Sequence, residues 1–215
     1  MNIKVLQLVI IIFISSFHVF ADIILDNTAD GTASLSASLG SITQNNFQAK
    51  VFTTPSSGIW TLDVLKMSLY NTSGSYSSSI TIELTEVDGS LNPSGLAIVS
   101  ENFYVELTTT PEYYDFDLNN SLWELSESYT YALVFSASAA GTTSWTKTDN
   151  AYTTSNGFTF DATRRSTDGG SSWSENSYTN GLQIIAVPEP ATSGMLFFGL
   201  GISLGVHHLR RRMSH

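Results

Sequence analysis

Residues 80–85 read Ile-Thr-Ile-Glu-Leu-Thr, a stretch in which apolar and polar side chains alternate without exception. Successive side chains of a β-strand point to opposite faces, so this period of two predicts a strand with one buried and one solvated face. Asp88 and Gly89 follow as a tight-turn signal. The segment therefore predicts an antiparallel hairpin.

Strand patterns continue on both sides of this stretch. Residues 129–135 interleave aromatic and aliphatic side chains with Thr, Ala and Val, which is typical of a strand covered on both faces. The other strand candidates are residues 23–25, 48–53, 60–69, 96–99, 103–107, 113–118, 144–147, 158–161 and 182–186. Residues 121–128 are the only short helix candidate before the C-terminal tail. We predict an all-β domain, an antiparallel β-sandwich with a jelly-roll-like arrangement.

The charge of the chain differs by region. Residues 22–187 hold five basic and eighteen acidic residues, a net charge of −13. Such a surface repels phosphate backbones, so we expect no nucleic-acid partner. An acidic excess favours solubility. The alternative is Ca²⁺ binding, which requires clustered oxygen ligands.

Residues 22–187 contain no cysteine and no histidine, because the four histidines of the chain are His18, His207, His208 and His215. This removes the Ser-His-Asp triad, cysteine nucleophiles and ordinary zinc sites. We therefore expect no enzymatic activity, no catalytic residue, no metal site and no cofactor. Carboxylates remain, and a glycosidase needs only two of them at the right separation.

The N-terminal segment has the order of a secretory signal. Lys4 precedes an uncharged run over residues 5–20, and Ala21 stands at the position that a signal peptidase reads. We predict a signal peptide over residues 1–21, cleaved between Ala21 and Asp22, and a passenger domain over residues 22–186.

The C-terminal segment, residues 187–215, has three parts in order. It begins with Val187, Pro188, Glu189 and Pro190 and ends with Arg210, Arg211 and Arg212 after an uncharged run. As a helix, residues 191–209 would rise about 28 Å, enough to span a bilayer core. The prolines block helix propagation backwards, and the arginines stay cytoplasmic. The segment predicts a transmembrane helix, with the passenger domain facing the periplasm.

These three parts resemble the PEP-CTERM sorting tails. The resemblance implies recognition by an exosortase, a membrane-embedded processing enzyme of Gram-negative bacteria that secrete exopolysaccharide. The chain would then be a precursor anchored in the inner membrane. After processing it would reach the cell surface or the extracellular matrix, with exopolysaccharide as a further partner.

The passenger resembles a second family, the choice-of-anchor R domain. The resemblance is carried by residues 47–54, 60–69, 129–135 and 166–173. It implies a surface-destined β domain that occurs with interchangeable anchors.

Residues 166–173 also resemble the Asp-box hairpin that is repeated in sialidases. The matching positions are Ser166, Asp168, Gly170 and Trp173. In that motif the aspartate ties the turn, glycine permits the bend and tryptophan packs beneath it. A single copy predicts one well-formed hairpin and gives no ground for sialidase activity.

Aromatic side chains are the best binding candidates, since a flat apolar ring stacks on sugar. Most are expected in the core. Trp145 lies among polar residues and is the predicted exception, a sugar-stacking residue. The sequence thus favours an exported, structural or adhesive, non-enzymatic protein. The alternatives are a carbohydrate-binding module for exopolysaccharide and a small carboxylate-dependent glycoside hydrolase.

Overall fold

In the computed structural model, the described residues are 20–28, 36–72, 74, 76–118, 123–138, 143–148 and 150–189. Within these ranges the regular structure consists of β-strands, and no helix is found. The strands form two antiparallel sheets. The predicted all-β class and the sandwich of antiparallel sheets are therefore confirmed.

Fourteen strands lie in the described part of the chain. They are β1 (Asp22–Asp26), β2 (Ser36–Ile42), β3 (Phe47–Thr53), β4 (Trp60–Asn71), β5 (Tyr76–Val87), β6 (Pro93–Leu107), β7 (Glu112–Asp117), β8 (Glu124–Leu125), β9 (Thr130–Ser138), β10 (Thr143–Lys147), β11 (Thr153–Thr154), β12 (Thr159–Ser166), β13 (Ser174–Glu175) and β14 (Leu182–Pro188).

The strands divide between two sheets, which we call sheet A and sheet B. Sheet A has the order β11-β1-β14-β4-β10-β2, with β7 and β8 pairing along β4. Sheet B has the order β13-β12-β3-β9-β5-β6. The long strands β4 and β5 are thus in different sheets, and the chain crosses repeatedly from one sheet to the other.

The core lies between the inner faces of the sheets. Ile80, Ile82 and Leu84 of β5 are fully buried there, as their alternation predicts. Across the core, the rings of Phe135 and Trp145 meet edge to face, with centroids 4.8 Å apart. Full burial of an aliphatic side chain contributes about 1.5–3 kcal/mol, so the alternating strands supply much of the driving force for this packing.

The ends of the passenger leave the fold side by side. Asp22 of β1 pairs with Ala186 of β14, and β14 lies between β1 and β4. The compact unit comprises Ala21–Val187, within one residue of the predicted passenger domain at each end. Its last strand therefore runs directly into the sorting segment.

Two local predictions differ from the structure. The candidates at residues 96–99 and 103–107 belong to one continuous strand, β6. Ser100 and Asn102, which separate the two candidates, lie on the solvent-exposed face of β6 at the edge of sheet B. Polar side chains on such a face do not interrupt the backbone pairing, so the strand continues through them. The helix candidate at residues 121–128 is wrong over its described part, where the chain forms β8 and a turn.

Candidate functional site

The predicted sugar-stacking residue lies in the core. Trp145 is 1% exposed, and its Nε1 donates a hydrogen bond to the Gly181 carbonyl over 2.9 Å. The Lys50 amine lies 5.1 Å from its ring centre. No face of the indole is open to a ligand, so the prediction that Trp145 stacks on sugar is wrong. The polar neighbours in sequence that suggested exposure are themselves buried, because β10 is paired on both edges.

The outer face of sheet B, which points away from sheet A, carries a second apolar cluster. It consists of Ala49 and Val51 of β3 with Ala132 and Val134 of β9. All four are buried. Among the residues packed against them are Leu91 and Trp173. Leu91 belongs to the loop at residues 88–92, which we call the Asp88 loop, and Trp173 follows the turn at residues 167–172, which we call the Asp168 turn.

The Asp168 turn is organised by its carboxylate. The carboxylate accepts hydrogen bonds from the Ser172 hydroxyl and the Ser172 amide at 2.6 and 2.9 Å, and from the Ser166 hydroxyl at 2.7 Å. These bonds, the Ser172 hydroxyl first, lower the pKa of Asp168 to about 2. The Ser166 hydroxyl in turn accepts the Gly170 N–H over 2.8 Å.

The turn places Trp173 against Phe47, with ring centroids 6.5 Å apart and planes at 57°. Gly170 has a φ of +87°, and a Cβ there would stand 3.3 Å from the Phe47 ring. Both the backbone conformation and this close approach require glycine. Trp173 is half-buried and keeps part of its ring accessible.

The Asp88 loop is built in a similar way. The Asp88 carboxylate accepts the backbone N–H groups of Ser90 and Asn92 at 2.8 and 2.9 Å, and the Asn92 bond is the main cause of its lowered pKa. The Arg164 guanidinium donates to the carbonyls of Ser90 and Leu91 at 2.6 and 3.2 Å. Arg164 thereby fastens the loop to β12.

A pocket of about 180 Å³ opens on this face, a volume that corresponds to about six water molecules. Its lining comes from strands β5 and β9, from the start of β6, and from the Asp168 turn with its neighbours. The strand residues are Glu83, Thr85 and Val134; the start of β6 supplies Pro93, Ser94 and Gly95; the third group is Phe47, Gly169, Gly170 and Trp173.

Thr85 is the unusual member of this lining. It is 6% exposed, and its Oγ1 has no hydrogen-bond partner within the described ranges. A buried hydroxyl without a partner costs about 1–3 kcal/mol. Thr85 lies where the β5–β6 register shifts, between Leu84 and Glu86. The register shift takes Thr85 out of the regular pairing of β5 with β6.

Glu83 supplies the negative charge of the pocket. Its carboxylate accepts the Ser100 hydroxyl over 3.2 Å and is the one charged group among the lining residues described above. The paired acids that glycoside hydrolysis uses are therefore not brought together by this lining. Within the described residues, no group of three His, Cys, Asp or Glu side chains is arranged to hold a metal ion.

The sequence predicts Trp173 in the Asp-box-like hairpin and Glu83 as a polar residue of an alternating strand, and it does not predict that the two lie close together. They are 90 positions apart in the chain, and no local pattern predicts their meeting. Thr85 was missed entirely, because an alternating strand gives every outward threonine the same signature. The sequence signal nearest to it was Gly95, which adopts a φ of +76° where the β5–β6 register shifts.

A second group of polar residues is enclosed between the sheets. The Lys50 amine donates to Asn180 Oδ1 at 2.9 Å and to Thr163 Oγ1 at 3.2 Å, and it lies 5.3 Å from the Tyr152 ring centre. Burial holds the pKa of Lys50 well below its usual range. None of the buried residues in the described ranges is an Asp or Glu, so this cluster contains no carboxylate that could act on the amine.

The predicted terminal sites are described only in part. Val187 and Pro188 end β14 and are half-buried, and Glu189 follows as an exposed residue. Asp22 begins β1, one residue after Ala21. The rest of the signal peptide before Phe20, together with Pro190, the span 191–209 and the three arginines, lies outside the described residues. Among those described, none forms a helix long and apolar enough to cross a membrane.

The comparisons with known proteins concern the C-terminal end. Residues 186–212 match the PEP-CTERM protein-sorting motif. No curated protein and no solved structure matches the chain. The resemblance of the passenger to choice-of-anchor R domains stays a prediction.

By fold and motif, the chain is of the class that joins an all-β domain to a C-terminal sorting signal. The PEP-CTERM motif indicates an exported, membrane-anchored precursor that is targeted and processed by exosortase.

Proposed function

We propose that this chain is a structural or adhesive, non-enzymatic protein of the cell envelope or extracellular matrix, delivered there by exosortase processing. The observation that carries the proposal is the continuity of β14 with the sorting motif. The motif begins at residue 186, where the last strand of the domain is ending. Removal of the tail beyond Glu189 would therefore leave in place every strand that the structure describes.

The pairing of Asp22 with Ala186 supports the same proposal. The strands that adjoin the leader and the tail, β1 and β14, are neighbours in sheet A, so both segments could be removed without cutting a strand of the core. The domain is then free to serve at a distance from the inner membrane. Its acidic surface, with five basic and eighteen acidic residues between positions 22 and 187, keeps it soluble there.

The test is the intact mass and the cell fraction of the protein in hosts with and without an exosortase. We expect the mass to lose the leader in both hosts, and the segment beyond the Pro-Glu-Pro sequence only where the enzyme is present. A matched variant, Pro188→Ala with Pro190→Ala, should keep its tail in the enzyme-bearing host. A tail that persists in the inner membrane of both hosts would contradict the proposal.

A further inference from the structure

We infer that the pocket on the outer face of sheet B binds one uncharged pyranose ring of a polysaccharide, with Trp173 against the ring and Thr85 and Glu83 bonded to its hydroxyls. This inference refines the adhesive function proposed above and rests on it. It assigns the contact with polysaccharide to a named site.

The size of the pocket selects a single ring. Its volume of about 180 Å³ is below the range of about 300–1,000 Å³ that is typical of pockets for drug-sized ligands. A sugar ring within a polymer needs a short, open site through which the chain can enter and leave. The pocket is open to solvent on the face of the sheet, so neighbouring sugar units are not obstructed by the core.

The aromatic wall matches the apolar face of a pyranose. Trp173 is half-buried, and its orientation is held by Phe47 at a centroid distance of 6.5 Å. A ring that is already immobilised loses little conformational entropy when a ligand stacks on it.

The polar wall matches the hydroxyl rim of the same ring. Thr85 Oγ1 is buried and without a partner in the described part of the chain, and a hydroxyl both donates and accepts hydrogen bonds. Because Thr85 lines the pocket, rotation of its side chain about χ1 would turn the covered hydroxyl towards a ligand hydroxyl, which would supply the missing partner. The Glu83 carboxylate accepts hydrogen bonds only, so it suits the O–H groups of a sugar.

The charge decides the class of sugar. Glu83 is the charged residue of the described lining, and the domain around it has five basic against eighteen acidic residues. A uronate or phosphate-bearing polymer would be repelled by both. The acidic pocket therefore excludes an anionic sugar, and the hydrogen-bonding groups of Thr85 and Glu83 fit the hydroxyls of a neutral hexose unit.

The inference is tested by calorimetry and by affinity electrophoresis with the full chain. The protein is kept in a zwitterionic detergent, because glucoside and maltoside detergents carry the ring under test. The probes are neutral glucan, galactan and mannan oligosaccharides, a chitosan oligosaccharide and an alginate oligosaccharide. We expect a neutral oligosaccharide to bind with a dissociation constant on the order of 1 mM.

Three variants locate the binding. Trp173→Ala should weaken it about tenfold through lost stacking. Thr85→Val should weaken it about three- to tenfold, while the melting temperature stays equal or rises because an unpartnered hydroxyl is removed from the interior. Glu83→Gln should weaken it without unfolding the domain. Thr85→Val thus separates a role in binding from a role in folding.

Two matched controls share the sheet face. Thr81 lies on β5 and bonds Asn102 over 2.6 Å, so Thr81→Val should leave sugar binding unchanged. Tyr104 is 85% exposed on β6, and Tyr104→Ala should also have no effect.

The inference is overturned if no neutral oligosaccharide binds, if alginate or chitosan alone binds, or if the controls weaken binding as much as Thr85→Val does. The mass and fractionation test of sorting is independent of these outcomes. A pocket that fails to bind while the tail is still processed would remove this inference alone, and a tail that is never processed would remove the proposed delivery.

Discussion

At the scale of the residue, the buried Lys50 shows how the sandwich accommodates a basic group. Its amine is enclosed by neutral oxygens and two aromatic rings, and its complete removal from water disfavours the ammonium ion more than these contacts stabilise it. Burial accordingly lowers its pKa. The unfolded chain takes up the proton at pH values where the folded chain does not, so folding and protonation are linked.

We predict that the stability of the domain rises with pH on account of Lys50. Between its lowered folded-state pKa and its ordinary value of 10.5, the unfolded state binds more protons, so the free energy of unfolding increases with pH. Below the folded-state pKa, Lys50 is protonated in both the folded and the unfolded chain, so it no longer makes the free energy of unfolding depend on pH. Tyr152 beside it has a pKa raised by burial and stays protonated in this window.

The measurement is urea unfolding from pH 6 to 9 for the wild type and Lys50→Met. In the variant, the free energy of unfolding should rise less steeply with pH, because the contribution of Lys50 is removed. The variant should also be less stable by the same amount at every pH, because the Asn180 and Thr163 oxygens lose their hydrogen-bond partner. Equal slopes in the two proteins would show that Lys50 remains protonated in the fold.

Gly40 provides a second test at this scale. A Cβ at Gly40 would lie 2.6 Å from Asn180 Nδ2 and 2.8 Å from the Trp145 carbonyl oxygen, so Gly40→Ala should destabilise by about 1–3 kcal/mol through overpacking. Gly89→Ala is the matched control, because no atom lies within 4 Å of its Cβ position. Thermal melts of both variants give the comparison. Similar melting temperatures would mean that β2 shifts to make room.

At the scale of the element, two turns that are held by carboxylates shape the outer face of sheet B. The Asp168 turn was predictable from sequence, since its Asp, Gly and Trp occupy one short motif. The Asp88 loop was predictable only as a turn. Its attachment to sheet B depends on Arg164, 76 positions further along the chain, and on a hydrogen bond that no local pattern encodes.

We predict that Asp168→Ala opens its turn while the sandwich stays folded. The variant loses the bonds to Ser166 and Ser172, so hydrogen exchange at the Ser172 and Gly170 amides should accelerate by at least about tenfold. Core amides in β9 should be unaffected. Asp115→Asn is the control, because its ion pair with Lys66 spans 3.6 Å between exposed side chains and should contribute little.

The same turn should show a defined pH dependence. The pKa of Asp168 is lowered to about 2 from its ordinary 3.8, so the stabilisation is complete above the ordinary value and is lost as pH falls through the lowered one. In the wild type, the turn amides should therefore keep their protection, measured as exchange relative to an unfolded amide at the same pH, down to pH 3. Loss of that protection already at pH 4 would contradict the hydrogen bonds from Ser166 and Ser172 to the Asp168 carboxylate.

At the scale of the whole molecule, β14 closes the domain and begins the sorting segment. Leu182, Ile184 and Ala186 are fully buried, and the strand is inserted between β1 and β4. Full burial of the Leu and Ile side chains alone contributes about 1.5–3 kcal/mol each, against a total stability of about 5–15 kcal/mol for a typical domain.

We predict that a chain of residues 22–189 folds and that a chain of residues 22–181 does not. The first keeps all fourteen described strands, and the second exposes both neighbours of β14. Circular dichroism melts of the two proteins provide the measurement, with a cooperative transition expected for the longer one only. A cooperative melt of the shorter chain at the same temperature would show that β14 is dispensable.

The amino-acid sequence by itself determined the all-β class, most of the strands and the sorting address, because strand alternation and the PEP-CTERM motif are local patterns in neighbouring residues. Only the tertiary structure decided which side chains share an environment. It enclosed Trp145 and Lys50 between the sheets, and it brought Glu83, Thr85 and Trp173 to one pocket. The physical reason is that strand register and the coverage of a sheet face depend on contacts between distant segments. Lys50 and Thr163, for example, meet across 113 positions of the chain.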